Sequence, residues 1–332
     1  MSLTNQIANI APELVNNQWA FRNRMINGSC NISQRPSFVA STGLNGYGGP
    51  DRYLASNGNS AGGQFTQSAG TISYLGLTHN AVVQTVNTAI VSSTTTNYWY
   101  GVTQRIEGFN SYDLLGQPVT VSFIFETNVT GVYSFVLKDS TPSSTYVTTF
   151  SATANIPNLV VLQIPNLPLS LVVPTSNATG LLVQIGALNT GTYQTSTPNT
   201  WQSGNYFTAS GTTNWGAAIG NFISLTNLQL EPGLVATPFE NRPYSVELAL
   251  CQRYYETGYI SMQSAAVGFI IAPESFHATK RTTPTITYSG TAYVNAIGLT
   301  ANAIGYDMIG FQLQVTSANG YVNSAFAASA EL

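Results

Sequence analysis

Apolar and polar residues alternate most clearly after Pro118. Val119, Val121, Phe123 and Phe125 fall on one side of the chain, with Thr120, Ser122, Ile124 and Glu126 on the other. A period of two places one set on a buried face and predicts a strand. Asn128-Val129-Thr130-Gly131 follows as a turn, and Tyr133, Phe135 and Leu137 continue the alternation. The spacing predicts a hairpin across that turn. Further strands are expected at 71–77, 81–91, 146–152, 159–163, 169–173, 181–187 and 222–230. Short strands at this spacing, separated by Gly, Pro and Asn, predict a sandwich or jelly roll.

One segment breaks the pattern. From Pro243 to Tyr255, Val246, Ala249, Leu250 and Arg253 recur at helical spacing, with an early Pro, a Ser able to cap, and Gly258 beyond the end. Strands resume at 259–262, 267–271, 283–288 and 308–315, with a last one through Phe326. The fold class expected is all-β: a jelly-roll sandwich over 21–242, a short linking helix over 243–258, and a small C-terminal β domain over 259–332. Residues 1–20 carry Ile7, Ile10, Leu14, Val15 and Trp19 at nearly helical spacing, interrupted by Pro12. Ile7, Ile10, Leu14 and Trp19 are candidates for a docking and assembly segment. Packing on the chain's own domain is the alternative.

Charge changes this picture most. Only 7% of the 332 residues are Asp, Glu, Lys or Arg, against about 25% in ordinary domains. None lies between Arg52 and Arg105, or between Asp139 and Glu231. Thr, Ser, Asn and Gln interrupt the apolar runs well short of the ~20 residues of a membrane-spanning helix. With 43% hydrophobic residues, the chain has the material for a core. The net charge of −3 and the absence of a basic stripe argue against nucleic-acid binding. An uncharged polar surface suits closely packed identical subunits, because charges at a large interface must be desolvated. Met1-Ser2-Leu3-Thr4 opens without a basic segment and apolar core, so no secretory signal is expected. Cys30 and Cys251 are expected as buried free thiols, with a disulfide as the alternative.

Catalytic chemistry finds little support. His79 and His277 stand in unrelated contexts, and no nucleophile elbow, phosphate loop or zinc signature is present. A glycan depolymerase would need two carboxylates facing one sugar. Glu107, Glu231 and Glu240 instead lie close to Arg105 and Arg242 and read as ion pairs or loop caps at the sandwich end. Asp51 and Asp113 lack the oxygen-rich spacing of a calcium loop, so no metal or cofactor is expected. Sugar binding has candidates in Trp201, Tyr206, Asn214 and Trp215, set among Ser, Thr, Asn and Gly. Aromatic faces stack on sugar rings and amides orient them. The alternative is that these aromatics fill the core.

Several segments then read together: 23–35 (NRMINGSCNISQR), Pro50-Asp51-Arg52-Tyr53, Gln104-Arg105-Ile106-Glu107-Gly108, 113–120 (DLLGQPVT), 228–240 (LQLEPGLVATPFE), Cys251-Gln252-Arg253-Tyr254-Tyr255 and Ala330-Glu331-Leu332. Together they resemble a group of phage-encoded virion proteins of the tail-fibre or phage structural type. The main domain of that group is similar to jelly-roll carbohydrate-binding modules. The resemblance implies a place on the virion surface after assembly in the host cytoplasm, and a homotrimer. It also implies contacts with other capsid or tail proteins, as a capsid decoration, head-fibre or tail-fibre component. Recognition of host cell-surface glycan is the alternative role.

Overall fold

The computed structural model describes residues 21–41, 43–58, 63–90, 99–189, 191–302 and 304–332. The first strands are β1 (Phe38–Ala40), β2 (Gly46–Tyr47), β3 (Leu54–Gly58), β4 (Gln64–Tyr74), β5 (Leu77–Thr88) and β6 (Trp99–Glu107). Next come β7 (Val119–Thr127), β8 (Gly131–Asp139), β9 (Ser144–Ala152), β10 (Asn158–Ile164) and β11 (Thr179–Asn189). Short strands β12 (Gln194–Thr195), β13 (Trp201–Ser203) and β14 (Thr208–Ala209) precede the long β15 (Phe222–Pro232). Helix α1 (Tyr244–Gln252) leads to β16 (Tyr255–Ser264), β17 (Gly268–Ser275), β18 (Thr285–Val294), β19 (Ala296–Asn302), β20 (Met308–Val315) and β21 (Gly320–Ser329).

Two sheets form the jelly-roll sandwich. One runs β1-β4-β5-β15-β7-β10 and the other β13-β9-β8-β11-β6-β3-β2. The alternation along β7 and β8 sets the core: Val119, Val121, Phe123 and Phe125 meet Tyr133, Phe135 and Leu137 from the facing sheet. The Phe125 and Tyr133 rings lie 5.0 Å apart. The expected hairpin between these strands does not form. Both edges of β7 are taken, by β15 and β10, so the turn at 128–130 carries the chain across to the other sheet. The strand expected at 71–77 instead straddles a two-residue turn. Leu75 and Gly76 both have positive φ, as the tight turns joining twisted strands require, and β4 and β5 pair around them. No strand forms at 169–173, where Pro168 and Pro174 bracket the segment and remove ladder donors.

Helix α1 also departs from expectation. Pro243 stands at its N-cap without a side-chain cap, and Ser245 lies inside the first turn. Its buried residues are Glu247 and Cys251 rather than the 246/249/250/253 face. Glu247 turns inward because the Asn27 backbone N–H and Arg242 meet it there. Val246, Ala249, Leu250 and Arg253 line an open groove with Ala278 and Thr279.

Beyond α1, sheets β16-β21-β18 and β17-β20-β19 enclose their own core of Ile260, Met262, Phe311, Leu313, Val322 and Phe326. Cys30 and Cys251 are free and buried. Burial pushes the Cys30 thiol up to about 12 and raises Cys251 well above its ordinary value. Neither is expected to react with a thiol reagent at pH 8 until the chain is unfolded, when both should, as a colorimetric titration would show.

Candidate functional site

The four proposed sugar contacts separate in the structure. Trp215 is fully buried in the sandwich core, its indole Nε1 donating to the Gly186 carbonyl at 2.6 Å. It meets the Tyr100 and Phe65 rings edge-on at 4.9 and 6.3 Å. Asn214 serves the same packing. Its Oδ1 accepts from the Tyr100 hydroxyl at 2.8 Å, and its Nδ2 donates to the Ile90 carbonyl at 3.0 Å. The structure places both in the core packing that was the alternative to sugar binding, with their polar atoms bonded to the Gly186 and Ile90 carbonyls and the Tyr100 hydroxyl. Tyr206 packs on Val136, Val147 and Ala209, and Trp201 sits half-buried on edge strand β13 against Tyr146 at 5.6 Å. Gln202 beside Trp201 bonds Thr195 and Thr197.

Tyr206 belongs to a cover. Residues 204–209 lie over the outer face of β8 and β9. The Ser134 hydroxyl bonds the Thr208 hydroxyl at 2.9 Å, and the Thr145 hydroxyl donates to the Gly204 carbonyl at 2.6 Å. Phe207 stacks on Trp99 at 4.7 Å and meets Tyr193 at 5.5 Å. Under this cover Lys138 is sealed from solvent, with Nζ donating to Asn205 Oδ1 at 2.7 Å and 3.2 Å from the Phe207 ring centre. Neither partner carries a charge, so burial pushes its ammonium well below the ordinary lysine value. The unfolded chain then binds more protons than the folded one, and stability rises with pH. The penalty fades as pH climbs through the depressed folded value towards the 10.5 of a free lysine. Buried Cys30 and Cys251, whose values are raised, act oppositely from about pH 8, and Tyr254 from about pH 9. Melting temperature is therefore expected to increase from pH 7 to pH 8, and Lys138→Met to flatten that increase.

The charged residues gather where the sandwich, α1 and the C-terminal sheets meet. Glu331 lies between two arginines of the sandwich: Arg52 Nη1 donates to its Oε2, and Arg35 Nη2 is 2.8 Å from its Oε1. Arg52 also donates to the Arg105 carbonyl at 2.8 Å and stacks 3.4 Å above the Tyr254 ring. Arg35 stacks on Tyr255 at 3.8 Å. Arg105 and the Tyr47 hydroxyl donate to the Leu332 carbonyl oxygen. Arg281 holds the Ala330 and Glu331 carbonyls at 2.9 and 2.8 Å and donates to the Asn177 carbonyl of the sandwich at 3.0 Å.

The expected ion pairs are present, Glu240 with the expected Arg242 and the other two with different arginines. Glu107 accepts two hydrogen bonds of 3.0 Å from Arg253, rather than pairing with Arg105. Glu240 accepts the Phe21 and Asn23 backbone N–H groups and lies 3.5 Å from Arg242, while Glu231 holds Thr237 and lies 3.5 Å from Arg22. Gly28 runs against the same wall, where a Cβ would come within 2.2 Å of the Leu228 carbonyl oxygen. Asp51 accepts from the Gln34 backbone N–H and side-chain amide, and Asp113 from Arg24 at 2.6 Å. Among the described residues no group of three His, Cys, Asp or Glu could hold a metal ion. The docking candidates Ile7, Ile10, Leu14 and Trp19 lie outside the described residues.

No family model and no curated protein matches this chain. Among solved structures, the tailspike protein 4 enzymatically active domain of bacteriophage CBA120 is similar over 64% of this chain and 21% of its own, at 12% identity and TM-score 0.31. The chain thus spans about a fifth of that tailspike's length. A CBM4 structure is similar over 62% of this chain and 98% of its own, at 11% identity and TM-score 0.29. The family 11 carbohydrate-binding module from Clostridium thermocellum, in complex with a beta-1,3-1,4-mixed-linked tetrasaccharide, covers 61% of this chain and 100% of its own, at 11% identity and TM-score 0.30. Likeness at this level assigns neither site nor ligand.

Proposed function

We propose that this chain is a non-enzymatic structural component of a bacteriophage particle, displayed on the virion surface as a homotrimer. A capsid decoration, head-fibre or tail-fibre element would each fit. One observation carries the reading: the segments that resemble phage virion proteins converge on a single junction. Residues 23–35, 50–53, 104–108, 228–240, 251–255 and 330–332 are far apart in sequence, yet they pack together there. Within it Glu331, Glu107, Glu231 and Glu240 each face an arginine. Glu331 and Glu107 are spent on joining the sandwich to the part of the chain beyond it, and Glu231 and Glu240 on bracing the sandwich end, which are structural roles rather than catalytic ones.

Immunogold electron microscopy of intact particles, with an antibody to this chain, tests the reading. Label on the head indicates a decoration or head-fibre protein, and label on the tail a tail-fibre element. Particles without label would overturn the virion assignment. Light scattering tests the homotrimer separately, and a stable monomer at micromolar concentration would remove it.

Glycan recognition is the second reading, favoured by half-buried Trp201 beside the Thr195, Thr197 and Gln202 network. Trp201→Ala should then reduce adsorption to host cells, and unchanged adsorption would eliminate this site.

A further inference from the structure

The C-terminal β domain has an uneven distribution of charge. Residues 257–273, 282–306 and 308–330 contain no Asp, Glu, Lys or Arg. These three stretches supply nearly all of β16 to β21. Several of the charged groups outside them face the junction: Lys280 meets Glu256 at 2.7 Å, and Arg281 and Glu331 join the sandwich. The other two are Glu274, which has the inward parity of Ile270 and Ala272, and Asp307, which precedes β20; the outward positions of β17 and β20 are uncharged.

That outward face is also apolar along β17. Strand β17 alternates, sending Ile270 and Ala272 towards the domain core and Phe269 and Ile271 outwards. Phe269 and Ile271 are 66% and 65% exposed. In register beside them on β20 stand Gln314 and Gln312, and Ile297 of β19 pairs with Gln314. Ile297 and Met308 extend the same exposed face. Strand β17 forms one edge of its sheet. An exposed edge strand with outward Phe and Ile, whose one charge, Glu274, has the inward parity of Ile270 and Ala272, is a surface that proteins normally cover.

We propose that the outer face of the β17-β20-β19 sheet, centred on Phe269 and Ile271, is the contact between copies of this chain. The inference rests on the homotrimer reading and names the surface that makes it. Charge selects the occupant. Copies of one chain carry the same net charge of −3, which opposes their approach. A neutral face adds nothing to that repulsion at the contact and leaves no charge to desolvate. An acidic or basic partner would find nothing complementary on this face.

The test is size-exclusion chromatography with light scattering on the full chain, comparing wild type with Phe269→Glu and Ile271→Glu. The expected result is a wild-type trimer and variants at one third of that mass, with unchanged far-UV circular dichroism. A wild-type trimer whose variants remain trimeric would overturn this surface while leaving the homotrimer standing. A wild-type monomer would overturn both. Should either variant lose its β spectrum, Gln314→Glu, which changes a polar side chain on the neighbouring strand, supplies the same reading. It should raise the trimer's dissociation midpoint at least tenfold, and an unchanged midpoint would sink the proposal.

Discussion

Glu331→Ala is expected to cost about 3–5 kcal/mol of folding stability, the range for removing one partner from a buried ion pair. The side chains of Arg52, Arg35 and Glu331 are 1%, 6% and 8% exposed, so water screens none of them well. Without the carboxylate, two guanidiniums are left buried together, with carbonyls and tyrosine rings as their remaining company. Arg24 and Asp113 supply the contrast. Their contact of 2.6 Å is closer than the Arg35–Glu331 one, but Asp113 is 39% exposed. Exposed pairs contribute about 0–1 kcal/mol, so Asp113→Ala should barely move the midpoint. Urea unfolding of the two variants side by side gives the comparison. A loss below about 1 kcal/mol for Glu331→Ala would mean that water reaches the junction. Replacing Arg35, Arg52 and Glu331 together by Met, Met and Leu should recover much of the loss, because apolar groups of similar volume need no partner.

The sequence reading succeeded where physics is local and failed where it is not. Alternation identified Val119 to Phe125 and Tyr133 to Leu137 as core faces, because a side chain's face depends only on its parity along the strand. It did not identify sheet partners: β7 and β8 face each other across the core instead of pairing. A period of two contains no information about which edge a strand offers to which neighbour. Helix α1 shows the same limit. Its apolar spacing pointed to Val246 and Leu250, while Glu247 became the buried residue through Asn27, some 220 residues away in sequence. The ion pairs at Glu107, Glu231 and Glu240 were foreseeable as a class, since so few charges leave few alternatives. Of their partners only that of Glu240, its sequence neighbour Arg242, was foreseeable; Arg253 reaches Glu107 from beyond the sandwich and Arg22 meets Glu231. The clamp around Glu331 was present in the sequence only as scattered arginines in segments that the fold later brings together.

Trp215 is ambiguous in sequence for a related reason, and its replacement should have the second large effect. Its neighbours are Thr, Asn, Gly and Ala, a composition that suggests an exposed loop. The short 3-10 turn at Trp215–Ala217 instead drives the indole inward, where the Gly186 carbonyl takes its one donor. With that polar tip satisfied, burial carries the full benefit of the ring's apolar area. Trp215→Ala is therefore expected to cost about 3–5 kcal/mol through the cavity it leaves. Part of the loss would come from Tyr100, whose hydroxyl bonds both Asn214 and the Gly216 backbone N–H and would lose its facing ring. Trp201→Ala, on a three-residue edge strand, should cost no more than about 2 kcal/mol. The difference determines how binding experiments can be interpreted. A Trp215 variant with poor adsorption would report a damaged fold, whereas a Trp201 variant that melts normally and adsorbs poorly would report lost contact. Urea unfolding of both variants decides the assignment. If Trp215→Ala lost less than about 1 kcal/mol, the indole would not be a core residue, and its place at the sandwich end would have to be surface.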